Sequence, residues 1–306
     1  MFALLLSCMA GLVRRADANF IGAFVGLPAI TIQSDGSVVP QTEYVTREGN
    51  VYSLTEDLQQ TYVININCSN ITFDGQGHVI NGTQPDKVLR DMGAIGYYSN
   101  GIYLENVTNV TVKDIRVFGF TSYQSIYIKD CNEISILDVE VELIRLMESD
   151  HNMISSSSLS LSLEDSNYNV ILRNNLTLGV SCSSENLIYQ NNIFSSPNVN
   201  FWGGPINRWD NGSVGNHWSD YFDRYPDALE IGVTGVADMP YVIDESNVDN
   251  YPLMRPVSTE QETEAAPFIV TIVAGVSTII IAGATAGFVY QKKHGSRRKS
   301  DNRIAE

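Results

Sequence analysis

Asp114, Arg116 and Asp138 are the residues whose types and spacing come nearest to a catalytic set. Two carboxylates can divide the acid and base work at a glycosidic bond. A lyase acting on an acidic sugar would want carboxylates for calcium and an arginine on the same sheet. Asp114 and Asp138 fall in one column of the repeat described below, and Arg116 lies two residues past Asp114. The adjacent aspartates of a polygalacturonase-type site are absent, and Gly77-His78 lacks the neighbours of that pattern. Columns of acids are also ordinary turn formers in a solenoid. A polysaccharide lyase or glycoside hydrolase is therefore the runner-up to a binding or structural role.

Aromatic side chains offer different chemistry, because their flat faces stack on the apolar faces of sugars. Tyr103, Tyr127 and Tyr189 lie in the repeat, and Trp202, Trp209 and Trp218 follow it. Tyr103 and Tyr127 sit between apolar neighbours, so they should point outward as a ladder, which also steadies a sheet without any ligand. Asp220, Asp223, Asp238 and Asp244 crowd one polar stretch and could supply oxygen ligands to Ca2+, although a solvated acidic loop reads the same way. Copper would want clustered His, Met or Cys, whereas His78, His151, His217 and His294 are scattered. No glycine-rich phosphate loop is present.

What would position these residues is a repeat. Asn70-Ile-Thr-Phe-Asp-Gly returns as Asn109-Val-Thr-Val-Lys-Asp, Glu133-Ile-Ser-Ile-Leu-Asp, Asn169-Val-Ile-Leu-Arg-Asn and Asn186-Leu-Ile-Tyr-Gln-Asn. Ile71, Val110, Ile134, Val170 and Leu187 form one apolar column. Phe73, Val112, Ile136, Leu172 and Tyr189 form the next, two residues on. Period two means a strand with one face to a core. A further strand recurs as Ile102-Tyr-Leu, Ile126-Tyr-Ile, Leu161-Ser-Leu and Leu178-Gly-Val. The copies are spaced by 39, 24, 36 and 17 residues. The 24 reads as a clean coil, the 39 and 36 as coils with inserted loops, and the 17 as a shortened coil. Each copy is too short to bury its own apolar face, so copies must stack about 4.8 Å apart. Asn70, Asn109, Asn169 and Asn186 form a preceding column suited to a tight left-handed bend and to amide bonding between coils. Cys68 and Cys131 share a column with Val107 between them. They then lie roughly 9.6 Å apart, which is too far to bridge.

The ends of the chain carry other signals. Residues 1–18 look like a secretory leader with a small-x-small site at Ala16-Asp17-Ala18. Residues 267–290 run 24 positions without a charge, enough to span a bilayer as a helix. Residues 291–306 hold six Lys/Arg against two Asp/Glu, a basic tail that places the C-terminus in the cytoplasm. The formal net charge is −16, so the rest of the chain carries −20, a balance that disfavours nucleic acid as partner. Seven Asn-x-Ser/Thr sequons start at Asn67, Asn70, Asn81, Asn106, Asn109, Asn175 and Asn211, all on the external side. Between the ends, 19–61 supplies N-terminal strands or a cap, 62–200 the solenoid, 201–257 an aromatic and acidic cap, and 258–266 a polar stalk.

Trp209-Asp-Asn-Gly-Ser-Val-Gly-Asn-His-Trp-Ser-Asp-Tyr, Met239-Pro-Tyr-Val-Ile-Asp and Asn247-Val-Asp-Asn-Tyr-Pro-Leu-Met-Arg-Pro carry a resemblance. They look like the terminal segment of archaeal surface proteins bearing the NosD-like parallel β-helix, named for a periplasmic copper protein and similar in fold to pectate lyases. The resemblance covers about residues 62–256, and His217 departs from it where an aromatic residue is expected. It implies right-handed coils of three sheets. The expectation is thus an all-β, right-handed parallel β-helix displayed outside the cell on one C-terminal transmembrane helix. Its expected work is binding or cell-surface structure, with glycan the leading ligand class.

Overall fold

The computed structural model describes residues 29–59, 63–82, 100–120, 124–194, 198–199 and 206–259. They form a parallel β-solenoid of about six turns. Each turn lays one short strand on each of three faces. On the first face, Val51–Leu54, Ile71–Asp74, Val110–Phe118, Ser135–Met147, Met153–Ser155, Val170–Leu172 and Leu187–Tyr189 pair in parallel. The second face runs from Leu58–Gln59 through the far halves of the two long strands to Asn192–Ile193 and His217–Trp218. The third begins at Ala29–Ile32 and Val63–Ile66, so the stack starts well before residue 62.

Alternation produces this shape. On the third face, Ile30, Ile64, Ile102, Ile126, Ile144, Leu161 and Leu178 stand in register and are all buried. On the first, Tyr52, Phe73, Val112, Ile136, Ile154, Ile171 and Ile188 do the same. Each such side chain contributes about 1.5–3 kcal/mol on burial. Isolated coils bury nothing, so the whole stack shares one interior.

The first-face columns differ from expectation in the later coils. Ile71, Val110 and Ile134 point inward. Val170, Leu172, Leu187 and Tyr189 do not: they are half-buried on the outer side, and Ile171 and Ile188 take the interior. A slip of one residue exchanges the two faces of a strand. The 36-residue step is two coils, because Met153–Ser155 forms a strand of its own between them. The 17-residue step is a full coil, and the 24-residue step is the widened one.

Corners explain how so short a coil closes. Asn70, Asn109, Glu133, His151, Tyr168 and Glu185 all hold positive φ at the corner before the first face. Asp114, Asp138, Ser156, Arg173 and Gln190 do so before the second, and Asn106, Asp130, Glu148, Asp165 and Cys182 after the third. In the early coils the next residue along is a buried apolar side chain, and in the later coils it is a polar one that turns inward and bonds to the adjacent coil. Asn152 N donates to Asn169 Oδ1 at 2.8 Å, Asn169 N to Asn186 Oδ1 at 2.8 Å, and Asn186 N to Asn207 Oδ1 at 3.0 Å. A second ladder runs Ser157, Asn174, Asn191, Asn216, and a third runs Cys131, Ser149, Ser166, Ser183. Asn169 and Asn186 are therefore not the bend residues expected; they are buried rungs one position later. Cys68, Cys131 and Cys182 form no disulfide with one another.

Residues 206–259 close the C-terminal end. The leader, the span 267–290, the basic tail and Trp202 lie outside the described residues. Among the described residues no helix is long and apolar enough to cross a membrane.

Candidate functional site

The second corner presents a groove of about 300 Å³ whose walls include Asp114, Arg116, Asp138, Glu140, Ser157 and Thr259. Asp114 and Asp138 stand one coil apart at positive-φ positions, φ 50° and 52°. Turning sharply there throws both side chains to the outside, at a spacing of about 4.8 Å along the stack. Arg116 pairs in register with Glu140 on the outer side of the second face. Its guanidinium also donates to the Gly77 carbonyl at 3.3 Å. Gly75 makes the approach possible, because a Cβ there would meet the Asp114 carbonyl oxygen at 2.3 Å. Asp138 is exposed, yet partial desolvation at the groove raises its carboxyl from the ordinary value, and the Asp114 charge adds to the rise. Behind the groove, burial works against ionisation of Asp74, yet Lys113 at 2.6 Å and the Gln76 N–H hold it below the ordinary range. The structure thus brings Asp114, Arg116 and Asp138 together.

One lip of the groove is a strap. Val257 exchanges two bonds with the Asn192 side chain: its N–H donates to Oδ1 at 2.7 Å, and its carbonyl accepts from Nδ2 at 2.9 Å. Asn175 Nδ2 donates to Thr259 Oγ1 at 3.3 Å. The chain after the cap therefore runs back along the second face, against coil order, and reaches the groove at Thr259.

An aromatic ledge lies elsewhere, on the third face. Tyr103 and Tyr127 are paired in register with ring centroids 5.5 Å apart, tilted by 40°. The Arg145 guanidinium follows on the next coil, 5.9 Å from the Tyr127 ring, and is itself bound to Glu164. Lys129 pairs with Glu105 at 3.6 Å and Asp130 at 3.8 Å. Burial pushes both phenols upward. Tyr189 is on the first face, away from this pair.

Other candidates are used up by the fold. Trp209 and Trp218 are 0% and 1% exposed; Trp218 stacks on Tyr241 inside the cap and Trp209 leans on Trp218, where no sugar face reaches them. Asp220 accepts from the Tyr241 hydroxyl, Asp238 from the Leu229 N–H, and Asp244 from the Ser246 and Asn247 N–H groups. Asp223 belongs to the short helix Tyr221–Arg224. Among the described residues no three His, Cys, Asp or Glu side chains are grouped to hold a metal. His78 meets Asp57, His151 stacks on Tyr168, and His217 is half-buried in its strand, where burial lowers its pKa.

Sequence reasoning missed Glu140 and Thr259. Glu140 was within reach, since it follows Asp138 by the two residues that separate Arg116 from Asp114. Asp249 is wholly buried, and burial raises it to about 7 despite N–H donors from Asn216, Trp218 and Tyr251. No family model, curated protein or solved structure matches this chain.

Proposed function

We propose that this chain is a cell-surface module, a right-handed parallel β-helix held by a membrane span at 267–290, and that its third face binds glycan. The observation that carries the reading is the Tyr103–Tyr127 pair, a ledge of two rings on consecutive coils flanked by the polar groups of Arg145, Glu164, Lys129 and Glu105. Rings one coil apart suit a sugar chain lying along the stack, with apolar sugar faces on the rings and hydroxyls at the charged rim. The cations there already have carboxylate partners, which favours a neutral glycan over an acidic one. Glycan-array binding of the purified chain tests this. Tyr127→Ala should lower the signal at least tenfold, and an unchanged array profile would refute the ledge.

A second reading, a carbohydrate-active enzyme, is favoured by the groove. Asp114 and Asp138 project from the same corner of adjacent coils, whose backbones stack about 4.8 Å apart, an arrangement that can bring two carboxyls to the separation of about 5–5.5 Å used by retaining glycosidases. The raised Asp138 would serve as acid and Asp114 as nucleophile or base. Product formation lost in Asp114→Asn, with binding retained, would favour this reading.

A further inference from the structure

Seven sequons occur in the chain, and the fold treats them differently. Asn175 is half-buried beneath the strap. Its Nδ2 donates to Thr259 Oγ1, and its Oδ1 accepts from Asn192 Nδ2 at 2.7 Å. Asn109 Nδ2 donates to Asn70 Oδ1 at 3.0 Å, so those two amides are tied across neighbouring coils. The hydroxyl of the Asn67 sequon, on Ser69, accepts from the Thr108 N–H of the next coil at 3.0 Å.

Asn211-Gly212-Ser213 is unlike these. All three residues are exposed at a loop tip where Gly212 holds φ 91° and has open space around it. Asn211 Oδ1 accepts three donors: the Ser213 hydroxyl at 2.9 Å, the Ser213 N–H at 3.0 Å and the Val214 N–H at 3.0 Å. The sequon hydroxyl therefore already sits on the amide of its own asparagine. Those donors occupy the amide oxygen and hold the side chain in place, leaving the exposed Nδ2 as the group open to a transferase. Asp210 braces the tip from both sides, accepting from the Gly212 N–H at 2.8 Å and from the Asn250 side-chain amide at 3.0 Å.

We infer that Asn211 is an N-glycosylation site. The inference rests on the reading that residues before 267 are external. The co-reactant is an oligosaccharide carried on a lipid phosphate. Asn211 Nδ2 attacks its anomeric carbon, the C–N bond forms, and the bond from that carbon to the phosphate oxygen breaks. The lipid phosphate leaves with the electron pair, and the amide gives one proton to the transferase.

Peptide mapping by mass spectrometry on the full chain, isolated from the membranes of cells that make it, tests the assignment. The expected result is a glycan mass on Asn211 and none on Asn175. Asn211→Gln and Ser213→Ala should abolish it, and Ser213→Thr should keep it. Labelling of Lys113 and Lys129 on intact cells with a membrane-impermeant amine reagent reports sidedness independently. Labelled lysines with a bare Asn211, or with the glycan on Asn175 instead, overturn the site and leave the external reading standing. Unlabelled lysines overturn both.

Discussion

Asp249 Oδ2 accepts the indole N–H of Trp218 at 2.9 Å, wholly inside the cap. Two residues earlier, Asn247 Oδ1 accepts the indole N–H of Trp209 at 3.1 Å. The same two oxygens end the two long ladders, taking the N–H of Asn216 at 2.7 Å and of Asn207 at 3.0 Å. A stack of coils always leaves unpaired donors at its last turn, and this segment absorbs them. The cap is therefore keyed to the solenoid by hydrogen bonds as well as by apolar packing.

The keying carries a pH dependence. Asp249 has an ordinary value near 3.8 when unfolded and about 7 when folded, because burial opposes its charge. Between those values the folded chain binds one more proton than the unfolded chain, so stability falls as pH rises through that window. Asp138 and Asp165, raised mainly by burial, and Glu148, raised mainly by Asp130, act in the same direction. Asp57 and Asp74, held low, cost stability only as pH falls below their ordinary range. Thermal unfolding followed by circular dichroism should show a maximum near pH 4–5, and Asp249→Asn should flatten the decline toward neutrality. Stability that climbs steadily from pH 4 to 7 would contradict this account.

Ladder rungs should be costly to remove from within. Asn174 Oδ1 accepts the Ser157 N–H, its Nδ2 donates to the Ile154 carbonyl at 2.9 Å and to Asn191 Oδ1 at 3.0 Å, and all are buried. Asn174→Leu orphans the Ser157 N–H and takes a donor from the Ile154 carbonyl, at about 1–3 kcal/mol per group, while Asn191 Oδ1 keeps the backbone N–H of residue 174. A loss of at least ~3 kcal/mol is expected in urea unfolding. Asn175→Ala, half-exposed next door, should cost under about 1 kcal/mol. Equal losses in the two variants would mean that the ladder is not what holds this corner.

Corners make the opposite prediction. Glu185 is exposed with φ 60°, a conformation that costs a residue with a side chain about 1 kcal/mol and glycine little. Glu185→Gly should raise the melting temperature by roughly 2–4 °C. Glu185→Val, a branched side chain at the same φ, should lower it. Calorimetry on the two variants decides, and a drop with glycine would show that Glu185 contributes more than its bend.

How much of this was legible depended on the pattern at each strand. Ile102-Tyr103-Leu104 and Ile126-Tyr127-Ile128 alternate cleanly, and the third face followed from them. Val170-Ile171-Leu172 and Leu187-Ile188-Tyr189 are apolar throughout, so period two carried no phase there. Asn169 and Asn186 then imitated Asn70 and Asn109, and the columns slipped by one. Met153–Ser155 has a single buried apolar residue, Ile154, too faint to read as a coil. At the groove, Asp114, Arg116 and Asp138 share columns within the well-aligned coils, so their meeting could be foreseen. Asp249 and Thr259 could not, because their contacts join residues 33 and 84 positions apart through loops without a period.

The slipped register gives the sharpest mutational contrast. If Val170 and Leu187 faced the interior, truncating either would open a cavity costing about 2–5 kcal/mol. In the structure that cost belongs to Ile171 and Ile188, each wholly buried, and the neighbours on either side are half-exposed. Ile171→Ala should therefore shift the urea midpoint strongly, whereas Val170→Ala should move it by less than about 1 kcal/mol. The buried Asn169 rung depends on the same phase, since it reaches Asn186 Oδ1 only when Val170 points outward. Asn169→Ala should thus resemble Ile171→Ala, not Val170→Ala. A Val170→Ala loss matching that of Ile171→Ala would restore the register read from the sequence and break both ladders at this coil.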